Sequence, residues 1–305
     1  MRVVFMGTPA FAATCLQRIA GECEIVGVYT KPDTPKNRGM KLAESEVKQL
    51  ARELGLPVYQ PNGFKDDAAV EELRALQPDL IVVVAYGKIL PQRVLDIPPL
   101  GCINIHGSIL PQLRGAAPVQ WAVLLGLPET GVTAMYLSAG MDEGDIIDVR
   151  KTALSPDESA GALMGRLSIL GAELLSDTVK SIFAGTAKRA PQDNALATYA
   201  PMLTRELSPI DWSKSAKEIL CQIRGLDPWP CATAELAGTS FKIYDAESVD
   251  APKQGTAGTP VALDKRGLTV LCGDGALRIL ELQAQGGKRM KAPDYFRGHP
   301  ITVDS

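Results

Sequence analysis

The chain begins MRVVFMGTPAFAATCLQRIA over residues 1–20, and this stretch indicates the fold. Residues 3–6 form an uninterrupted apolar run, which is typical of a strand buried on both faces of a sheet. Gly7 interrupts the run, Thr8 can cap a helix, and Pro9 suits the first helical turn. Apolar residues then recur at helical spacing. A buried strand followed at once by a helix predicts the first half of a βαβ unit.

Strands and helices continue to alternate in the following part of the chain. The spacing predicts a helix over 44–54 and a second helix from Ser155 to Gly185, where Ser155-Pro156-Asp157-Glu158 has the form of a capping box. Apolar runs predict further strands over 25–29, 80–85, 103–106, 132–137 and 145–149. This alternation predicts a Rossmann-like α/β fold, with a mostly parallel sheet and helices on both faces.

The pattern of polar and apolar residues changes after the helix predicted to end at Gly185. Residues 186–209 are polar and without periodicity, which predicts a linker, and a short helix is expected over 213–224. Short strands separated by glycine-containing turns are expected over 231–236, 241–246, 256–263, 268–272 and 276–283. Five such strands predict a small OB-like β-barrel. The predicted organisation is therefore a catalytic domain over 1–185, a linker over 186–209 and a C-terminal β-barrel domain over 210–305.

The composition is that of an ordinary globular protein. The 305 residues are 46% apolar, and 32 basic against 35 acidic side chains give a net charge of −3, which excludes a general polyanion binder. The longest apolar run, 80–86, is far shorter than the ~20 residues that span a bilayer. Gly7-Thr8-Pro9 breaks the apolar start of the chain too early for a signal peptide. We therefore expect a cytoplasmic protein that is not bound to a membrane.

Metal and disulfide chemistry are not indicated by the sequence. The six cysteines include no C-x-x-C pair and have no zinc-cluster spacing, and the chain has two histidines. Scattered cysteines in a chain of this size indicate a reducing compartment. We therefore expect no metal site.

Residues 102–111 contain the strongest candidates for catalytic side chains. On a strand, Cys102, Asn104 and His106 share one face, with Asn104 and His106 about 6.6 Å apart, a spacing that can flank one small functional group. Cys102 and His106 would be about 13 Å apart, too far for a nucleophile and its base. Ligands of open α/β sheets bind at strand ends, so Asn104 and His106 are placed to act on a carbonyl. The alternative is a hydrogen-bonded core histidine beside a turn-forming asparagine.

A second polar stretch, Met141-Asp142-Glu143-Gly144-Asp145, has three carboxylates within four residues. It could bind a cation, tune a histidine, or form a solvated turn. The glycine position does not fit the calcium-loop template. Taken alone, a surface turn is the default interpretation.

Five landmarks occur in the order seen in the formyltransferase family that uses 10-formyltetrahydrofolate, and the chain resembles that family along essentially its whole length. They are residues 5–9 (FMGTP), 85–91 (AYGKILP), 104–118 (NIHGSILPQLRGAAP), 131–133 (GVT) and 141–146 (MDEGDI).

The resemblance implies a catalytic role for Asn104, His106 and Asp142. Formyl transfer is attack of an amine on a formyl carbonyl, and an oxygen anion develops in the tetrahedral intermediate. Asn104 and a protonated His106 can donate hydrogen bonds to that oxygen. Asp142 is the candidate for tuning the charge of His106 and for moving the proton of the amine toward the leaving nitrogen. No covalent enzyme intermediate is required.

The resemblance also implies where the co-substrate binds. The pterin of 10-formyltetrahydrofolate, the formyl donor, is expected against backbone groups near residues 86–90 and near Met141-Asp142. Residues 108–111 are expected to form another wall. The implied folate-binding residues are Tyr86, Gly87, Ile89, Ser108, Ile109, Leu110 and Pro111.

The implied acceptor is the α-amino group of methionine on initiator tRNA, which would give the chain a role in translation initiation. The segment 31–41 has four basic residues against one acid and is predicted to be a loop after a strand end. By resemblance, its Arg38 and Lys41 contact the acceptor arm. A basic patch with Lys288 and Arg289 suits phosphate contacts in the C-terminal domain. The enzyme is expected to be a monomer.

Two other functions fit parts of the sequence. The first is folate-dependent formylation of an amino sugar or another small amine, against which the basic segment 31–41 argues. The second is a nucleotide- or RNA-binding module without catalysis. Against the second, residues 7–9 do not form G-x-G-x-x-G, and no Walker A sequence is present.

Overall fold

The computed structural model describes residues 1–36, 41–250 and 255–303. The chain divides into two compact units. The first comprises Met1–Pro118, Glu129–Thr152 and Met164–Ala200, and the second comprises Val119–Pro128, Ala153–Leu163 and Pro201–Ser305.

The strands up to residue 200 are β1 (Arg2–Gly7), β2 (Glu24–Tyr29), β3 (Thr34–Lys36), β4 (Lys41–Ala43), β5 (Val58–Tyr59), β6 (Leu80–Val84), β7 (Cys102–His106), β8 (Arg114–Gly115), β9 (Glu129–Tyr136), β10 (Ile146–Ala153) and β11 (Tyr199–Ala200).

The first unit is built on a mostly parallel sheet with the strand order β10-β9-β7-β6-β1-β2-β5. Strands β5, β2, β1, β6 and β7 run parallel, and β9 is antiparallel to β7. The central strand β6 is buried at every position, as its continuous β-branched run predicts. The α/β fold with a mostly parallel sheet, expected from the sequence, is confirmed.

The order of the strands reverses direction between β1 and β6. From β1 the chain builds outward through β2 to β5, and it then returns to build on the other side through β6 and β7. In open α/β sheets this switch point, at the carboxyl ends of the strands, is where ligands bind. Strand β1 ends here at Gly7. This position requires glycine, because a Cβ would lie 2.6 Å from the Ala12 Cβ and 3.0 Å from the Val84 carbonyl oxygen.

The helices begin and end largely where local signals place them. Asp66 accepts a hydrogen bond from the amide of Ala68, and Ser215 forms a reciprocal capping box with Glu218. The helices are α1 (Ala10–Ile19), α2 (Glu46–Glu53), α3 (Asp67–Ala75), α4 (Gln92–Leu95), α5 (Pro118–Leu124), α6 (Ala160–Phe183), α7 (Ala216–Gly225) and α8 (Ala292–Gly298). None of the helices within the described ranges is both long and apolar enough to span a membrane.

The second unit contains an antiparallel sheet around its own apolar core. Its strands are β12 (Ala232–Leu236), β13 (Thr239–Val249), β14 (Pro260–Leu263), β15 (Leu268–Cys272), β16 (Gly275–Ala284) and β17 (Met290–Lys291). The order is β12-β13-β16-β15-β14, and β17 pairs with β16. Phe241 and Phe296 are buried in this core, where α7 and α8 pack. The small antiparallel β domain predicted for this region is confirmed.

Local predictions were wrong at two places. The capping box predicted at Ser155 does not start α6: the Glu158 amide closes a turn onto the Ser155 carbonyl, and the helix begins at Ala160, with Ser159 accepting a hydrogen bond from Ala162. The segment 31–41 is not only loop, because β3 and β4 pair as antiparallel arms within 34–43.

The segment after α6 also differs from a structureless linker. Ala190 forms a bridge with Ile146, and a short 3-10 turn spans Asn194–Leu196. Strand β11 then pairs in parallel with β8. Residues 186–200 therefore pack within the first unit. The boundaries 1–185, 186–209 and 210–305 stay a prediction.

Candidate active site

Strand β7 brings Asn104 and His106 to one face near the carboxyl edge of the sheet. It lies between β6, which pairs Val83 with Asn104, and β9, which pairs Thr133 with His106. The intervening Ile105 is buried on the opposite face. His106, the last residue of the strand, is therefore held by pairing with β9, one step beyond the last pair that β7 forms with β6.

Both nitrogens of the buried His106 ring face protein acceptors. Nε2 lies 2.9 Å from the carbonyl oxygen of Leu113, so Nε2 bears a hydrogen and donates it. Nδ1 lies 3.6 Å from Oδ2 of Asp142, which is beyond a normal hydrogen bond but close enough for a carboxylate to attract an imidazolium. Nδ1 is therefore the nitrogen left for substrate chemistry, and it donates only when the ring is cationic.

The Asp142 carboxylate is held in place by the backbone of the neighbouring turn. Asp142 has a φ of +53°, a left-handed conformation that Asp tolerates better than most residues. Its Oδ2 accepts a hydrogen bond of 2.8 Å from the Gly115 amide. Gly144, two residues on, is packed so closely that a Cβ would overlap the carbonyl oxygen of Tyr136. The Asp142 turn is therefore a tightly constrained structure rather than the solvated surface turn considered from sequence alone.

Two further residues, not identified from the sequence, support this turn: one bonds to it directly, and the other bonds to the first. Gln192 donates to the carbonyl oxygens of Asp142 and Gly144, at 2.8 Å each. The guanidinium of Arg114, which is 1% exposed, donates to the Gln192 side-chain oxygen. Arg114 could have been noticed as the one charge in the apolar stretch 109–119, whereas Gln192 lies in a polar segment with no distinguishing pattern.

The half-buried Asn104 has an available amide. Among the described residues, none forms a hydrogen bond with the Asn104 side chain. Its carbon skeleton is fixed by β7, while its NH2 group keeps its donor capacity for a bound molecule. Asn104, His106 and Asp142 thus combine a free amide donor, a ring whose Nδ1 has no hydrogen bond within normal distance, and an oriented carboxylate.

The four residues 108–111 form a rigid turn after β7. The hydroxyl of Ser108 donates to the carbonyl of Gln112 at 2.6 Å, and Thr133 links the turn to β9 by accepting from the amide of Leu110 and donating to the carbonyl of Ser108. Ser108 and Leu110 are buried, and Ile109 and Pro111 are half-buried. Ser108 and Leu110 therefore shape the turn, and Ile109 and Pro111 present its outer side.

The second group of expected folate-binding residues lies beyond β6, at the switch point. The ring of Tyr86 is buried in the core cluster that includes Tyr29, and the Tyr86 carbonyl accepts a hydrogen bond of 3.1 Å from Thr8. Gly87 has a φ of +73°, with the ammonium of Lys31 against it. Ile89 is 87% exposed. At this segment, Gly87 and Ile89 are exposed, whereas Tyr86 is buried and its carbonyl is already bonded to Thr8.

The expected tRNA-binding residues are only partly described. Arg38 lies outside the described residues, and Lys41 belongs to β4. Lys288 is exposed in the turn before β17. Arg289 pairs with Glu281 at 2.6 Å and stacks over the Tyr244 ring at 4.4 Å, so its charge is already partly compensated.

Cys102 is the buried first residue of the same strand, and it is not a nucleophile. Burial raises the pKa of its thiol to about 12, so the thiolate is scarce at neutral pH.

We expect Cys102→Ala to change kcat by less than about twofold, because only core packing is altered. Steady-state kinetics would measure this. Iodoacetamide labelling of the native protein should leave Cys102 unmodified and modify the partly exposed Cys23 or Cys221 first. Rapid loss of activity on labelling of Cys102 would contradict the assignment.

Comparison with known proteins defines the class to which this fold and site belong. A family model described as "Formyl transferase" matches residues 1–179, and one described as "Formyl transferase, C-terminal domain" matches residues 202–300. The chain therefore belongs to the formyl transferase family.

Among members of this family, the relatives that align with the chain over nearly its full length are methionyl-tRNA formyltransferases. The chain is 46% identical over 303 residues to the methionyl-tRNA formyltransferase of Trichlorobacter lovleyi, covering 99% of this chain and 95% of that protein. It is 43% identical over 304 residues to the methionyl-tRNA formyltransferase of Ruminiclostridium cellulolyticum, covering 99% and 97%.

Solved structures share the fold at lower identity. A Helicobacter canadensis N-formyltransferase, in complex with folinic acid and dTDP-3-aminofucose, has a TM-score of 0.69 at 18% identity and covers 94% of this chain and 99% of that one. HypX from Aquifex aeolicus, in complex with tetrahydrofolic acid, has a TM-score of 0.65 at 19% identity and covers 100% of this chain and 48% of that one.

Proposed function

We propose that this enzyme transfers the formyl group of 10-formyltetrahydrofolate to the α-amino group of methionine on initiator tRNA, as a cytoplasmic step of translation initiation. One observation supports this above the others: Asn104, His106 and Asp142 converge in a chain that aligns with methionyl-tRNA formyltransferases over nearly its full length. Relatives at this identity match both units, including the C-terminal region.

The reaction forms one C–N bond and breaks another. The amine nitrogen attacks the formyl carbon, the carbonyl electrons move to oxygen, and collapse of the intermediate expels N10 of the folate. The amide of Asn104 and Nδ1–H of a cationic His106 donate to the developing oxygen anion, which lowers the barrier because the donors are already oriented. Asp142 accepts the proton that the amine loses and delivers it to N10 as the C–N10 bond breaks, so that the carboxylate is regenerated.

The surrounding backbone supports these roles. The carbonyl of Leu113 occupies Nε2 of His106, so the ring cannot rotate to offer that nitrogen instead. The Gly115 amide holds Oδ2 of Asp142 toward the ring, which leaves Oδ1 to face the incoming amine. Ordered donors and acceptors of this kind need little reorganisation during the reaction.

We place the folate at the switch point beside these residues. The turn 108–111 provides one wall, through Ile109 and Pro111, with Ser108 and Leu110 supporting it. Gly87 and the exposed Ile89 provide the other wall, with the buried Tyr86 supporting them. An exposed isoleucine at such an edge suits the face of a pterin or an aminobenzoyl ring.

The acceptor would be bound by Arg38 and Lys41 on the 31–41 segment and by Lys288 and Arg289 in the C-terminal unit. Contacts of Lys and Arg with phosphates position a nucleic acid and release counterions, so binding should weaken with rising salt. The alternative acceptor is an amino sugar or another small amine. We further propose that the enzyme acts as a monomer.

Transfer of labelled formyl from 10-formyltetrahydrofolate to methionine-charged initiator tRNA tests the function. We expect transfer by the wild type. For Arg38→Ala we expect KM for the charged tRNA to rise by at least about tenfold, equivalent to one lost charge-assisted contact, with KM for the folate within twofold. Arg74→Ala, which removes an exposed arginine on α3, is the control and should behave as wild type.

The outcomes separate the acceptors. A wild type that binds the folate and transfers nothing to charged tRNA would contradict the tRNA acceptor, and amino sugars would then be screened. If Arg38→Ala and Arg74→Ala behave alike, Arg38 does not bind the acceptor.

A further inference from the structure

We propose that Gln192 is a positioning residue for formyl transfer: with Arg114, it holds the Asp142 turn so that the carboxylate meets His106 and the reacting amine. This inference rests on the proposed function of the same site. Gln192 touches no reacting atom and acts through the turn.

The Gln192 side chain is saturated by its contacts. Its Nε2 donates two hydrogen bonds of 2.8 Å, to the carbonyl oxygens of Asp142 and Gly144. Its Oε1 accepts from Nε and Nη2 of Arg114, at 3.1 and 2.8 Å. The amide cannot be flipped, because carbonyls only accept and a guanidinium only donates. One side chain therefore ties both sides of the Asp142 turn to one buried cation.

Arg114 in turn is fixed by several acceptors rather than by one ion pair. Its Nη2 also donates to the side-chain oxygen of Asn194 at 2.8 Å, and Nη1 lies 3.8 Å from the Glu143 carboxylate. The backbone of the next residue, Gly115, donates to Asp142. Arg114 thus links the segment that contains Gln192 to the strand that holds the Asp142 carboxylate.

The turn depends on these contacts because its own conformation is unfavourable. A left-handed φ at Asp142 costs energy that surrounding contacts must offset. Without the two donors from Gln192, the Asp142 and Gly144 carbonyls lose partners, and the turn is free to relax. A displacement of about 1 Å can reduce an enzyme rate about 100-fold.

The variant Gln192→Glu distinguishes a role of Gln192 in positioning the Asp142 turn from a role in stabilising the fold. The carboxylate still accepts from Arg114, so the buried cation keeps its partner, but it cannot donate to the two carbonyls. We expect kcat to fall about 100-fold and KM for both substrates to stay within about twofold, while the protein stays folded with a thermal midpoint lowered by several degrees, because two carbonyls lose their donors and Arg114 keeps its acceptor. Asp193→Ala is the matched control: the exposed Asp193 caps the adjacent 3-10 turn, and this variant should keep wild-type kcat.

A double-mutant cycle tests whether Gln192 acts through Asp142. In an Asp142→Asn background, Gln192→Glu should cost less than about threefold further, since the carboxylate it positions is already absent. Gln192→Met, which loses all of its hydrogen bonds, should lose kcat to a similar degree together with stability.

Three results would overturn the proposal. They are wild-type kcat in Gln192→Glu, a change confined to KM, or a full 100-fold loss in the Asp142→Asn background. A wild type that fails to transfer formyl to charged tRNA would instead refute the proposed function, so the two failures are distinguishable.

Discussion

Replacing His106 with alanine is expected to lower kcat for formyl transfer by about 1000-fold. In the proposed mechanism, the substitution removes the Nδ1 donor to the developing oxygen anion, and losing one such donor typically costs about 100- to 1000-fold. Single-turnover formyl transfer at saturating substrates measures the chemical step directly. Folate binding, followed by fluorescence, should change by less than about threefold.

The other histidine provides the control. His299 stacks on Tyr295, with ring centroids 4.4 Å apart, in the C-terminal unit. His299→Ala should retain at least half of wild-type kcat. His106→Ala also leaves the Leu113 carbonyl without its donor, at a cost of about 1–3 kcal/mol, so the fold must be checked by circular dichroism. A folded His106→Ala enzyme with more than a tenth of wild-type kcat would remove His106 from the catalytic group.

Gly144→Ala is expected to destabilise the first unit by about 3 kcal/mol and to lower kcat at least about 100-fold. A Cβ at this position would overlap the Tyr136 carbonyl oxygen and lie 2.8 Å from its carbon. Both are backbone atoms of β9, so no rotamer change relieves the overlap, and overpacking of this kind costs about 1–3 kcal/mol or more. The turn must therefore shift, and Asp142 shifts with it. Urea denaturation and steady-state kinetics measure the two effects.

The same turn offers a matched control. A Cβ at Gly140 would meet only the side chain of Glu143, which is 47% exposed and can rotate away. Gly140→Ala should therefore change stability by less than about 0.5 kcal/mol. Equal effects of the two substitutions would show that the contact of Gly144 with β9 does not constrain the turn.

The fold was predictable from sequence wherever burial leaves a continuous or periodic apolar pattern. Strands β1 and β6 are buried at nearly every position, and their apolar runs identify them directly. The start of α6 was not predictable, because Ser155 and Glu158 satisfy a local helix signal that the structure uses for a turn. The two-residue strands β8 and β11 leave no pattern, since their pairing depends on residues far apart in the sequence.

The sequence predicts which residues form the site, but it does not predict which atoms of those residues bond to one another. Alternation along β7 places Asn104 and His106 on one face, whereas Asp142 was connected to them only through resemblance to a family. The assignment of Nε2 to the Leu113 carbonyl depends on a left-handed φ of +58° at Leu113, which no local residue preference indicates. Gln192 meets Asp142 across 50 residues of sequence, so only the folded chain reveals the contact.

The dependence of the Asp142 turn on residues after α6 has a consequence for the order of biosynthesis. Domains generally fold from the amino terminus as they leave the ribosome. When Phe183 has emerged, every strand of the central sheet is available, but Gln192 and β11 are not. The nascent chain can therefore bury its core before it can form a competent site, and catalytic geometry is completed only after Ala200 has been synthesised.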